Sequence, residues 1–290
     1  MKIELASIVS NRAEVSWLDF GLESILEKTK HEIRTTLYLA RYTDEMYNLC
    51  KVLSLKYSTD LQIRGDNFPI DYVNESKHRG FDMLDSDCVM SLQPDVVLTK
   101  KDIFDKAIDE ASEYFDSKYC VNISSDHAND TCPMGITIHT RLGWNKLGCE
   151  DVNFYPCNGV EHDYHRRAYL EYGLDPTDTE RYNAPLEGIA TPEWTHRVWL
   201  KGLYHINKPW NYDERIRPPR LVNWSNAVLS ETVLLHSQIP YHLAKWGGIL
   251  RFEQFTTPFN NPRYNNKISW EDHLNPYPDQ KIPTLQGLLP

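Results

Sequence analysis

The 290-residue chain is poor in glycine, with 13 in all. Neither G-x-G-x-x-G nor G-x-x-x-x-G-K-[ST] occurs, so a dehydrogenase-type dinucleotide fingerprint and a P-loop are both unsupported. No run of 18 apolar residues exists, and a membrane-crossing helix needs about that many. The first residues, MKIELASIVSNRAEVS, turn polar after Val9, unlike a secretion signal. The six cysteines (Cys50, Cys88, Cys120, Cys132, Cys149 and Cys157) form no C-x-x-C pair. They read as reduced thiols, and the chain as cytoplasmic. Positive charge is also short: Lys+Arg number 31 against 41 Asp+Glu, a net charge of −10. That balance argues against a protein that coats nucleic acid by neutralising phosphates.

What the sequence does hold is an alternation of apolar runs. Lys2 to Val9 has a strand's length, and Ser10-Asn11-Arg12 follows as a polar loop. Leu18, Leu22, Ile25 and Leu26 recur at helical spacing in Trp17 to Lys28. Ile33 to Ala40 reads as a second strand. Thr43-Asp44-Glu45 caps a helix that runs to Tyr57. Leu61 to Arg64 is a short third strand. Asp87 to Leu92 is a buried strand, Lys101 to Phe115 an amphipathic helix, and Tyr119–Ile123 and Gly135–His139 two further strands. Strands alternating with helices predict a doubly wound, mostly parallel α/β sheet flanked by helices. Ligands of such sheets sit beyond the C-terminal ends of the strands. Ser10, Asn11, Arg12, Arg41 and Asp66 are therefore candidate nucleotide contacts. Trp194 to Tyr204 reads as a helix within an irregular, aromatic-rich segment, and Leu221 to Ser237 as another helix.

Three motifs carry chemistry. Gly143 to Arg167 begins with a turn glycine and reaches two carboxylates, Glu161 and Asp163, on a segment that opens a helix. One of such a pair can take a proton while the other positions a partner; equally, both can complement the helix dipole. Gln93-Pro94-Asp95 follows the fourth strand, where a carboxylate can hold a hard divalent cation against two phosphates. Tyr241-His242-x-x-Lys245-Trp246-Gly247-Gly248 combines a compact cation, an aromatic face and two glycines that permit close backbone approach.

This ordered set resembles GT-A glycosyltransferases, especially family 2-like ones. Gly148, Phe154-Tyr155-Pro156, Glu161-x-Asp163 and Arg167 match the family's acceptor-side segment, with Glu161 where the family has Asp. Gln93-Pro94-Asp95 stands at its D-x-D, with Gln93 replacing the first carboxylate. The 241–248 segment, Glu253-x-Phe255 and Pro258-Phe259-Asn260 are similar to a C-terminal signature of one subset. The resemblance implies a GT-A (Rossmann-like) core over 1–170, an acceptor-side insert over 171–260 in an irregular or helical C-terminal extension, and a wrapping tail over 261–290. It further implies transfer of a sugar, most readily from a UDP-sugar, to an acceptor hydroxyl, with Glu161 and Asp163 as base. Asp95 would hold Mn2+ or Mg2+. Lys245, Trp246, Gly247 and Gly248 would join Ser10, Asn11, Arg12, Arg41 and Asp66 around the donor. Two alternatives stay open at this point. One is a viral-type enzyme that glycosylates hydroxymethylated DNA bases, suggested by the Arg215/Arg217/Arg220 cluster. The other is a non-catalytic sugar-nucleotide-binding protein of the same fold, suggested by Gln93.

Overall fold

The computed structural model describes residues 1–27, 29–40, 42–63, 69–99, 102–125, 134–154, 160–174, 194–205, 239–248, 252–277 and 279. Within them the chain divides into two compact units. The first comprises Met1–Asn67, Glu75–Leu142 and Thr195–Val222; the second comprises Phe68–Asn74, Gly143–Trp194 and Asn223–Pro290. The units interleave along the chain, whereas the sequence suggests consecutive blocks.

The first unit is a seven-stranded sheet. Its strands are β1 (Lys2–Val9), β2 (Glu32–Leu39), β3 (Asp60–Ile63), β4 (Cys88–Leu92), β6 (Cys120–Ser125), β7 (Met134–Thr140) and β8 (Thr195–Leu200), in the spatial order β3-β2-β1-β4-β7-β6-β8. Every neighbouring pair is parallel except the two made by β7, which is antiparallel to β4 and β6. The expected mostly parallel sheet is therefore present, with helices α1 (Arg12–Leu26), α2 (Asp44–Tyr57), α3 (Pro69–Lys77) and α4 (Ile103–Ser112) in the intervening connections.

Period-2 alternation decides which face is greasy. Ile3, Leu5, Val9, Leu37, Leu39, Met90, Leu92, Val121, Ile123, Ile136, Ile138 and Val198 point to one side. There they pack with Leu18, Leu22 and Ile25 of α1, Leu53 of α2, and Phe104, Ala107 and Ile108 of α4. Side-chain oxygens satisfy the helix starts: Asn11 Oδ1 accepts from Glu14 N at 3.1 Å, and Thr43 Oγ1 from Met46 N at 3.1 Å.

A second, two-stranded sheet pairs β5 (Val96–Leu98) antiparallel with β9 (Leu203–His205). Gly21 lets α1 run close beneath it, because a Cβ there would stand 2.6 Å from the Val96 carbonyl oxygen. Thr195–Leu200 and Leu203–His205 are thus strands, where periodicity suggests a helix over Trp194 to Tyr204. The reason is tertiary: β6 would otherwise be an open edge, and Cys120–Ser125 pairs in register with Thr195–Leu200 along its whole length. The expected helix over Leu221 to Ser237 lies outside the described residues.

In the second unit, α5 (Arg141–Leu147, entering from the first) contains Gly143, buried mid-helix where a turn is expected. Helices α6 (Val160–Glu171) and α7 (Ile239–Trp246) follow. The 252–277 stretch is mostly irregular, tied in by a bridge between Gly148 and Ile268. No described helix is long and apolar enough to cross a membrane.

Candidate active site

The strand-end loops of the first unit form one group. Leu92 ends β4, and the chain turns at Gln93-Pro94-Asp95, with Val96 N donating to the Gln93 carbonyl at 3.2 Å. Gln93 is exposed; Asp95 is buried. Strand β9 lies in register with β5, so that His205 faces Val96. His205 Nδ1 comes within 3.4 Å of Asp95 Oδ2, and both side chains are nearly sealed from solvent. His205 carries no signal in the sequence, where it stands just past the Trp194 to Tyr204 segment that reads as helical.

An oxygen and an imidazole nitrogen at this separation could share one divalent ion, whose remaining positions phosphate oxygens and water would fill. Among the described residues no group of three or more His, Cys, Asp or Glu side chains could hold a metal unaided.

β1 is the parallel neighbour of β4; its C-terminal loop holds Ser10 and Asn11, and Arg12 opens α1. Glu14 Oε2 accepts from Ser10 N and Oγ at 2.6 and 2.9 Å. Asn11 caps α1, and exposed Arg12 pairs with Glu45 at 3.4 Å. Local structure thus already uses all three. Arg41, Asp66 and the Arg215/Arg217/Arg220 cluster lie outside the described residues.

The second unit holds a different group, an ion cluster with no solvent exposure. Lys245 Nζ stands 2.6 Å from Asp151 Oδ2 and 2.5 Å from Asp163 Oδ1. Asp163 Oδ1 also accepts from Trp246 Nε1 at 2.9 Å, and its Oδ2 from Arg167 Nε at 2.8 Å. Arg167 spends its other donors on the carbonyls of Leu147, Asn266 and Cys149. Tyr241 donates to Asp151 Oδ2 at 2.7 Å. Aromatic rings line the cluster, with Lys245 Nζ 4.6 Å from the centre of Tyr277.

Burial opposes ionisation of Asp163, but Lys245 and Arg167 hold its carboxyl below the usual range. The same carboxylates, Asp151 and Asp163, overcome burial to hold the Lys245 ammonium on. Burial pushes the Tyr277 hydroxyl up to about 12. Two anions against two cations, all bonded, is the form in which buried charge is tolerated.

This geometry bears on two expectations. Lys245 and Trp246, which the resemblance assigns to the donor, are fully buried and bonded to carboxylates of their own unit. Asp163, half of the expected base pair, has both oxygens occupied by cations and an indole. Gly247 and Gly248 do give close approach, to the chain itself. A Cβ on Gly247 would stand 2.6 Å from the Phe255 ring, and one on Gly248 would strike the Phe252 carbonyl. The backbone of Glu161 lies in the first turn of α6; its side chain is outside the described residues. Asp151 and Tyr277, both central to the cluster, carry no motif in the sequence; Asp151's one signal is its place inside the 143–167 stretch.

No family model matches the chain, and no curated protein matches it. Solved structures similar to it include the S. aureus TarS 1–349 fragment in complex with UDP, at 13% identity and TM-score 0.45 over 59% of this chain and 56% of that one. The mannosyltransferase PcManGT from Pyrobaculum calidifontis, in complex with GDP-Man and Mn2+, aligns at 10% and 0.44 over 72% and 58%. Glucosyl-3-phosphoglycerate synthase from Mycobacterium tuberculosis, with Mn2+, UDP and phosphoglyceric acid, aligns at 12% and 0.44 over 72% of each chain. This chain spans little more than half the length of the first two.

Proposed function

We propose that the chain is a glycosyltransferase that takes a sugar from a nucleotide-sugar donor, a UDP-sugar foremost, to an acceptor hydroxyl. The observation that carries this reading is the Asp95–His205 pair. It lies just past the C-terminal end of β4, in a sheet whose strand ends are the natural ligand edge. Asp95 and His205 would hold Mn2+ or Mg2+ there, and the ion would neutralise charge on the departing diphosphate. Ser10, Asn11, Arg12, Arg41 and Asp66 are the proposed donor contacts around it. Glu161 is the proposed base. Asp163 acts at one remove: by anchoring α6 to Arg167, Lys245 and Trp246 it fixes the helix whose first turn carries Glu161.

Gln93 motivates a second reading, a sugar-nucleotide-binding protein without turnover. It is exposed and offers only a neutral carbonyl where a second carboxylate would grip the metal. One experiment separates the two: incubation with a panel of UDP-, GDP- and dTDP-sugars, with and without Mn2+, measuring nucleotide release and affinity. Metal-dependent release, lost in Asp95→Asn and His205→Ala variants that fold normally, is the expected result. Tight binding without release would establish the second reading, and neither binding nor release with any donor would remove both.

A further inference from the structure

The sheet of the first unit has a second face, and its middle row is polar from strand to strand. Cα partners run Ser91, Thr137, Asn122, Arg197 across β4, β7, β6 and β8. One step toward the strand ends, Ser124 faces Trp199.

Arg197 is the unusual member. It is partly buried, its Nε is sealed from solvent, and it makes neither a hydrogen bond nor an ion pair among the described residues. Its guanidinium lies 5.2 Å from the centre of the Trp199 ring, which is itself 55% exposed. Burial lowers its affinity for the proton, the mark of a charge that lacks a counter-ion. The other half-buried or buried arginines of this unit and the next, Arg79, Arg141, Arg166 and Arg167, all donate to carboxylates or carbonyls.

The neighbours of Arg197 are also donors with capacity to spare. Thr137 donates to Asn122 Oδ1 at 3.2 Å, which leaves the Asn122 amide hydrogens for another acceptor. Ser124 is fully buried, and its hydroxyl has no hydrogen-bond partner among the described residues. No Asp or Glu occurs anywhere in β4, β6, β7 or β8, on a chain of net charge −10. A fork of arginine donors, an amide and a hydroxyl, with no carboxylate to quench them, match the oxygens of a planar or tetrahedral anion. An exposed indole beside them offers a flat apolar face of the kind that sugar rings rest on.

We propose that Arg197, Asn122, Ser124 and Trp199 form an acceptor subsite for a saccharide that carries an anionic group, carboxylate or phosphate. The proposal rests on the glycosyltransferase reading for the word acceptor. The row of Cα partners puts Arg197 three strand spacings, about 14 Å, from β4, the strand that leads into Asp95. That separation assigns the anion to a ligand other than the donor diphosphate. The chain then joins the two places in nine residues, Arg197 to His205, through the Lys201-Gly202 turn.

Calorimetric titration of the full chain with a galacturonate trisaccharide, glucose 6-phosphate and neutral maltotriose tests this, alongside UDP with Mn2+. An anionic saccharide should bind at least about tenfold more tightly than maltotriose, the worth of one good charge-assisted hydrogen bond. Comparison of the uronate and the phosphate arms identifies which anion fits. Arg197→Gln should remove that preference, Arg197→Lys should restore part of it, and UDP affinity should not change in either. Equal binding of charged and neutral saccharides, no saccharide binding at all, or an unaltered preference in Arg197→Gln would overturn the subsite. So would an equal loss of UDP affinity, which would make Arg197 a donor residue. Arg197-dependent saccharide binding without any nucleotide binding or release would leave the site standing and sink the glycosyltransferase reading instead.

Discussion

Among single residues, Asp163 and Glu161 stand two apart in the sequence and differ in their expected roles. Asp163 balances Lys245 and Arg167 in a space without solvent exposure. Asp163→Asn would leave a buried excess of positive charge, and removing one partner from such a pair costs about 3–5 kcal/mol. A large drop in the urea midpoint is therefore expected. Glu161→Gln should leave the midpoint unchanged and slow sugar transfer by about 10²–10⁴, the usual worth of a positioned base. If Asp163→Asn is as stable as the parent, the cluster is weaker than its geometry implies. Part of this is legible in the sequence: Asp163 and Arg167 stand at i,i+4, the spacing of a helical ion pair. The partner Lys245 is 82 residues further on, and nothing local in the sequence says that its ammonium faces inward.

Among elements, the end of α7 explains a motif whose residues suggest a ligand. Gly247 has φ +71°, where a side chain is strained. Its N–H closes the helix on the Leu243 carbonyl at 2.8 Å, and the Trp246 carbonyl then accepts from Gln254 N and Phe255 N, each at 2.9 Å. The two glycines let the chain fold back over the last turn, against Phe255 and Phe252. Gly247→Ala should destabilise by at least about 1–2 kcal/mol from backbone strain alone, with nucleotide affinity unaffected in whatever remains folded. Intact stability with lost nucleotide affinity would return these glycines to the donor. Two glycines do announce close approach in a sequence; whether a ligand or the chain does the approaching is decided by segments far from them. Strands β8 and β9 were hidden for the same reason. T-H-R-V-W-L suits a strand or a helix, and the open edge of β6 decides between them.

For the whole molecule, the parallel half of the sheet is legible because its first strands are each followed by a helix with its own cap and apolar stripe. The antiparallel β7 is not, since apolar alternation fixes faces and says nothing of direction. Burial of charge in each unit sets how stability should depend on pH. His139 is buried in the first unit, with Ser91 Oγ 3.4 Å from its Nε2. Burial, helped by the nearby charge of Lys77, holds its pKa well below the usual value. The unfolded chain therefore takes up a proton near pH 6.5 that the folded chain refuses. Stability should fall as pH drops below about 6.5, by about 1.4 kcal/mol per pH unit for this one group. Asp163, depressed in the folded state, contributes stability that is present above about pH 4 and lost as pH falls further. Lys245, raised, contributes stability that is present below about pH 10.4 and lost only as pH rises past its folded value. Urea unfolding at about pH 8, 6.5, 5.5 and 4.5 should show a plateau followed by a slope that begins near the ordinary histidine value. His139→Gln, which keeps a polar neighbour for Ser91 but cannot titrate, should make that first slope shallower without abolishing it, because burial also lowers the pKa of His165 to about 4 and lowers those of His31 and His196, and should leave the loss below about pH 4 in place. An unchanged slope in the variant would assign the lost protons to other groups. A parent protein equally stable at about pH 8 and pH 5 would mean that His139 opens to water without unfolding its unit.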